Sequence, residues 1–230
     1  MKKCYFVHIP KTAGTSIYAA LPDSLTVRPK KNKDRVFSEI AKKHLNLSTK
    51  HFTPNMSYFY ELVDRKEYND SFKFSFIRNP FDKMVSSYIH QKNNLLSYYT
   101  ECMNENREFV YMEYLKEFDS IKSLSDLEEL FSFPYFVKKY VSRIFEDNNY
   151  AFDDCHYMPQ TMFTHKQIDG RFWIKNLDFI GRFENLNEDY KKICDFLQIE
   201  YKELPHLKKS NRNHYRDYYN EETKNIVANL

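Results

Sequence analysis

The stretch Phe6-Val7-His8-Ile9-Pro10-Lys11-Thr12-Ala13-Gly14-Thr15-Ser16 decides how the rest of this 230-residue chain is read. Residues Lys3 to Ile9 are rich in β-compatible apolar side chains, and Pro10 stops them sharply, which predicts a buried strand. A short polar loop, Pro10–Gly14, follows, and Thr15-Ser16-Ile17-Tyr18-Ala19-Ala20-Leu21 reads as a helix with hydroxyl residues in its first turn. Strand, tight loop and helix open a nucleotide-binding α/β unit. The loop has what an anion needs. Backbone N–H groups converge at a helix N-terminus, and the helix dipole adds partial positive charge there. Lys11 adds a full charge, Thr12, Thr15 and Ser16 offer hydroxyls, and Gly14 lets the backbone approach closely. A Walker A loop has two glycines and ends in Lys-Ser/Thr. Here Lys11 comes first and Gly14 stands alone, so the loop is of another kind.

Working outward, helices are expected over Val36–Leu47, Tyr58–Val63, Leu186–Leu197 and Glu221–Asn229, with a mainly helical stretch from Leu95 to Phe145. Strands are expected at Thr49–Thr53, Phe72–Ile77 and Phe179–Gly181, and Pro205–Tyr219 reads as a basic, aromatic loop. Strands alternating with helices indicate an α/β fold with a central, mainly parallel sheet. No linker or repeat divides the chain, and its length favours a single domain over residues 1–230.

A second informative segment is Arg78-Asn79-Pro80-Phe81-Asp82-Lys83-Met84-Val85-Ser86-Ser87-Tyr88. Phe72–Ile77 runs into it, so Arg78 stands at a strand's C-terminal edge, where open α/β sheets bind ligands. Asn79 suits an N-cap and Pro80 a first helical position, and the helix puts Phe81, Met84, Val85 and Tyr88 on one face. Arg78 can hold a phosphate through two parallel bonds, and Ser86, two turns on, can complete the shell. Two separated anion sites on one sheet suit a ligand with two separated anionic ends. 3′-Phosphoadenosine 5′-phosphosulfate (PAPS) has these, whereas ATP has one continuous triphosphate and calls for magnesium carboxylates.

The bulk composition narrows the field further. Net charge is +3, which does not indicate a nucleic-acid partner. Cys4, Cys102, Cys155 and Cys194 are scattered without a C-x-x-C pair, so neither a zinc ribbon nor a disulfide framework is expected. The apolar run Cys4–Ile9 is too short for a signal peptide and no window approaches a membrane span, so a cytoplasmic protein is expected.

On these residues the chain resembles the PAPS-dependent carbohydrate sulfotransferases, in the branch that includes the heparan sulfate 2-O-sulfotransferases and many bacterial relatives. Phe6–Ser16 is similar to the family's 5′-phosphosulfate loop and Phe76–Tyr88 to its 3′-phosphate segment. His156-Tyr157-Met158-Pro159-Gln160, Ile180–Leu186 and Tyr215–Tyr219 fit too, so the likeness spans nearly the whole chain. The resemblance implies a P-loop-like, three-layer fold. It implies that Lys11 stabilises the bridging oxygen as it leaves, that Thr12, Ala13, Gly14, Thr15 and Ser16 hold the 5′-phosphate, and that Arg78 and Ser86 hold the 3′-phosphate. Lys83 stands where an Arg is more usual, which keeps the charge but loses the planar fork.

Sulfuryl transfer to an alcohol is an in-line displacement helped by a base, for which His suits near pH 7. His51, in Lys50-His51-Phe52-Thr53-Pro54, is the first candidate, because the resembling branch has its base in a Gly-His segment at a similar place. His156 is the second, as base or acceptor-cleft residue, and His8 could orient the loop. In the basic loop Lys208–Arg216, Tyr215 and Arg216 could close over the nucleotide. The expected partners are PAPS, with adenosine 3′,5′-bisphosphate (PAP) as product and no metal, and a carbohydrate or other hydroxyl acceptor. A P-loop nucleotide kinase and a non-catalytic phosphoadenosine- or glycan-binding protein remain as rival readings.

Overall fold

In the computed structural model, residues 2–28, 63–109, 118, 120–142, 156–168, 172–175, 177–205, 207 and 212–230 are described. The elements expected over Val36–Leu47 and Thr49–Thr53, with His51, lie outside these residues, as does all but the last residue of Tyr58–Val63. In chain order the elements are β1 (Cys4–Val7), α1 (Gly14–Ala20), α2 (Arg65–Asp70), β2 (Phe72–Ile77), α3 (Pro80–Asn104) and α4 (Leu124–Leu130). There follow α5 (Phe133–Tyr135, continued by a π-helical stretch Phe136–Val141), α6 (Thr161–Thr164), β3 (His165–Ile168), β4 (Phe172–Lys175), β5 (Phe179–Arg182), α7 (Leu186–Leu197) and α8 (Glu221–Ala228). Short 3-10 turns occupy Phe183–Asn185 and Tyr215–Tyr218. The chain forms two compact units, Met1–Asn79 with Asn149–Lys209, and Pro80–Asn148 with Ser210–Leu230.

In the first unit three apolar runs become one parallel sheet of order β1-β2-β5. The register runs from Cys4 opposite Phe72 to Val7 opposite Ser75, and from Phe74 opposite Phe179 to Ile77 opposite Arg182. A parallel sheet needs apolar cover on both faces, and it has it. Phe6, Phe74 and Phe76 pack with Ile17 of α1, with Leu21 just after it, and with Tyr190, Ile193 and Leu197 of α7. Tyr5, Val7 and Ile9 pack with Tyr68 of α2, Met158 and Phe163. Helices therefore flank the sheet on both sides, as the α/β reading expects.

Two-sided burial changes how Phe72-Lys73-Phe74-Ser75-Phe76-Ile77 is to be understood. Its alternation does not separate core from solvent. Ser75 is fully buried, and its hydroxyl donates to the Val7 carbonyl at 2.7 Å. On the neighbouring strand Gly181 is obligatory, because a Cβ there would stand 2.5 Å from the Phe76 ring. Beyond the parallel sheet, β3 and β4 form an antiparallel pair, with His165 opposite Lys175 and Ile168 opposite Phe172, an element the sequence reading did not anticipate.

The second unit is helical. α3 has 25 residues, roughly 38 Å of helix. It buries Met84, Val85 and Tyr88, as its spacing predicts, together with Leu95, Tyr99 and Cys102. Tyr88 is the hub of an aromatic cluster. Its ring lies 5.4 Å from those of Phe133 and Phe136 and 6.2 Å from that of Tyr218, and its hydroxyl donates to the Phe131 carbonyl at 3.0 Å. Burial pushes the Tyr88 phenol up to about 12, so it stays a neutral donor. The segment Pro205–Tyr219, expected as loop, closes into the 3-10 turn Tyr215–Tyr218, where the His214 ring accepts from the Arg216 N–H. No described helix is long and apolar enough to cross a membrane.

Candidate active site

The loop after β1 is held in an unusual backbone conformation. Lys11 and Ala13 have φ of 66° and 65°, left-handed values at two non-glycine residues with only Thr12 between them. Each costs on the order of 1–3 kcal/mol, and such strain persists only where its surroundings over-determine it. Left-handed residues in a turn aim successive backbone N–H groups into one concavity, the geometry of anion-binding nests. α1 then starts from Ala13, whose carbonyl accepts from the N–H groups of Ser16 and Ile17 at 3.0 and 3.1 Å.

Two residues of this loop are fixed by their neighbours. Thr12 is fully buried, and its hydroxyl donates to the Ile9 carbonyl at 2.9 Å. It ties the loop to the strand end, leaving Thr15, which is exposed, and Ser16 as hydroxyls of the turn. The space that a Cβ on Gly14 would fill is taken by the His8 ring. A Cβ there would stand 1.9 Å from His8 Cδ2. His8 is itself buried between Phe6, stacked at 5.8 Å, and Tyr18, edge-on at 5.6 Å. The Tyr18 hydroxyl donates to the Phe6 carbonyl at 3.3 Å, and burial raises its pKa far above the ordinary phenol value. His8 thus orients the loop by packing.

Arg78, one residue past β2, is the opposite wall. Its Nη1 donates to the Lys11 carbonyl at 2.8 Å. Its guanidinium carbon lies 4.0 Å from the centroid of the Phe183 ring, within cation–π range. Its own peptide is held from the side: Gln160 Oε1 accepts from the Arg78 N–H at 2.9 Å, and Gln160 Nε2 donates to the Arg78 carbonyl at 2.8 Å. The Asn79 N–H donates to Glu184 at 2.6 Å. Asp189 takes the Arg182 N–H at 2.8 Å and Lys192 at 2.7 Å. Burial pushes the Asp189 carboxyl up, but those hydrogen bonds outweigh it and hold it below the ordinary carboxylate value. Gln160, Phe183 and Glu184 went unrecognised as supports, although their segments, His156–Gln160 and Ile180–Leu186, stood out in the sequence. Only the shape of the strand end reveals what they do.

The remaining candidates divide between the units. Arg78 falls in the first unit and its expected companion Ser86 in the second, buried in the first half of α3 beside a buried Lys83. In that second unit Asp82 forms an ion pair with Arg212, both side chains largely buried. The Tyr219 hydroxyl donates to the Phe81 carbonyl at 2.9 Å. Residues 212–219 are thereby fastened to the first turn of α3, and they include Tyr215, half-buried, and Arg216, exposed. His51 lies outside the described residues. His156 is half-buried four residues before Gln160, so the bonds from Gln160 to Arg78 bring its segment to the end of β2.

The loop has the left-handed backbone turns of an anion-binding nest, and Lys11 is one of its residues. The match to known proteins agrees with that chemistry. A family model described as "Sulfotransferase family" matches residues 2–230. The chain belongs to the sulfotransferase family. It is a transferase of sulfuryl groups, and a hydroxyl acceptor follows from the family. A crystal structure of a sulfotransferase from Alicyclobacillus acidocaldarius aligns with 100% of this sulfotransferase and 92% of its own chain, at 14% identity and a TM-score of 0.31. That likeness is too distant to carry detail from one molecule to the other. No curated protein matches the sequence.

Proposed function

We propose that this sulfotransferase takes its sulfuryl group from PAPS and places it on a hydroxyl of a carbohydrate by in-line displacement, with a histidine as base. The observation that carries the reading is the loop Pro10–Ser16. Two left-handed residues are held there at a cost, one of them a lysine whose carbonyl is bound by Arg78. Bound PAPS supplies an activated sulfuryl group on a phosphate leaving group. The backbone N–H groups of Thr12–Ser16 would hold the 5′-phosphate, and the Lys11 ammonium would offset the negative charge that grows on the bridging oxygen. Arg78 and Ser86 would take the 3′-phosphate, with Tyr215 and Arg216 closing on the nucleotide. His51 or His156 would accept the acceptor's hydroxyl proton as the sulfur–oxygen bond forms. The segment carrying His156 is tied through Gln160 to Arg78, whose guanidinium holds the Lys11 carbonyl, which favours it among the described histidines.

The test is direct. PAP should raise the melting temperature without magnesium, and labelled PAPS should sulfate a member of a sugar panel. Lys11→Ala should lower kcat roughly 10²–10³-fold, as for loss of one preorganised transition-state donor. Turnover retained by that variant, or stabilisation by ATP–Mg²⁺ and not by PAP, refutes the proposal.

A further inference from the structure

We infer that Gln160 is a positioning residue for sulfuryl transfer, acting through Arg78 on the conformation of Lys11. The inference rests on the proposed role of Lys11 and extends it to a side chain 82 residues away in sequence from the arginine it holds. β2 ends at Ile77, whose partner on β5 is Arg182, so the Arg78 peptide comes just after the last rung of the ladder. A buried peptide group still needs its donor and acceptor satisfied. Gln160 supplies both. Its carboxamide has the donor and acceptor of a peptide bond, and it pairs with Arg78 as a neighbouring strand would, at 2.9 and 2.8 Å.

The consequence lies at the other end of Arg78. Its main chain is fixed on both groups by Gln160, and the next N–H is fixed by Glu184 at 2.6 Å. The guanidinium leaves this anchor with little freedom and rests over Phe183. There it donates to the Lys11 carbonyl, in the residue whose φ of 66° puts it in the left-handed region. A strained conformation relaxes unless something opposes it. The Arg78 contact opposes it, and Gln160 holds Arg78 in place. A side chain whose amide is bonded to a backbone peptide thus sets the geometry of the cation beside the sulfuryl group. Placement of that kind matters, because a displacement of about 1 Å at the reacting centre can lower the rate on the order of a hundredfold.

The experiment compares the full-length wild type with Gln160→Met, which keeps length and volume but removes both hydrogen bonds, and with Gln160→Glu, which keeps the acceptor for the Arg78 N–H and loses the donor. Two readouts are taken. The first is hydrogen exchange by mass spectrometry in the unliganded protein over Pro10–Ser16, with α7 as internal reference. The second is kcat and KM with PAPS and a sugar acceptor. For Gln160→Met the loop should exchange roughly tenfold faster while α7 is unchanged. Its kcat should fall roughly thirtyfold, the loss expected for two hydrogen bonds, with the acceptor KM held. Gln160→Glu should fall between it and the wild type in both, and serves alone if the Met variant does not fold. Wild-type loop exchange and kcat in whichever variant folds would overturn the inference, as would faster exchange spread evenly over the first unit. If the wild type itself fails to turn over PAPS, the functional proposal fails, and the exchange result still judges whether Gln160 positions the loop.

Discussion

Replacing Gly14 with Ala tests the packing that shapes the loop. The added Cβ would stand 1.9 Å from His8 Cδ2 and 2.0 Å from Nε2, well inside contact distance. The ring has little room to retreat, being buried at 7% exposure between Phe6 and Tyr18. Forcing a methyl group into such a site costs typically 1–3 kcal/mol, and a contact this short belongs at the upper end. Against it stands the gain from exchanging Gly for Ala within α1, about 0.5–1 kcal/mol. The clash wins, leaving a net loss of about 2 kcal/mol. For a chain of this size that lowers the melting temperature by about 4–8 °C. Differential scanning fluorimetry reads it, and a double-mutant cycle assigns its cause. His8→Ala alone should destabilise by loss of packing, but in combination with Gly14→Ala the clash disappears while the helix gain stays, so the two losses should fall short of additivity by the whole clash, about 3 kcal/mol. Additive losses, or a Gly14→Ala variant as stable as the wild type, would refute the claim that the glycine exists to seat His8.

Three further outcomes follow from the same geometry. Thr12→Val should cost about 1–3 kcal/mol by leaving the buried Ile9 carbonyl without its donor, with PAP affinity little changed; a large loss of affinity at unchanged stability would mean that the hydroxyl faces the ligand after all. Asp189 has a folded-state pKa below its unfolded value, so its contribution to stability is complete above the unfolded pKa and fades as pH falls through the folded one. The gap in melting temperature between wild type and Asp189→Asn should therefore be largest at neutral pH and close on acidification below about pH 4; a gap that widens in acid contradicts the assignment. In the second unit, Asp82→Asn and Arg212→Met should each destabilise, and their combination should destabilise by less than the sum, because either change alone strands a largely buried charge. Additive effects in the denaturant midpoints would show that the pair does not hold residues 212–219.

The local parts of the molecule were legible from residues alone. β2 and α7 have the limits read from their apolar spacing, and β1, expected over Lys3–Ile9, is the shorter Cys4–Val7. These are short-range signals: period, proline, cap. The pair β3–β4 was missed although Asp169-Gly170 stands between its strands in the sequence, a turn signal that could have revealed it.

The candidate site was legible as a set of residues and much less as a set of roles. Lys11, Gly14 and Arg78 announced themselves by position between strand and helix. That Gly14 answers to a histidine ring, that Thr12 spends its hydroxyl on Ile9, and that Arg78 reaches the Lys11 carbonyl are facts of side-chain direction, which spacing does not encode.

Sequence by itself determined the family, the alternation of strands and helices, and the loop that marks the site, since each is written in neighbouring residues. Tertiary structure alone decided how the loop is braced. Gln160 lies 82 positions from Arg78, and Arg78 lies 67 from Lys11, so their contacts exist only once folding brings these distant segments together. Hydrogen bonds and ring contacts depend on that proximity to within a few tenths of an ångström, and no pattern along a single chain specifies it.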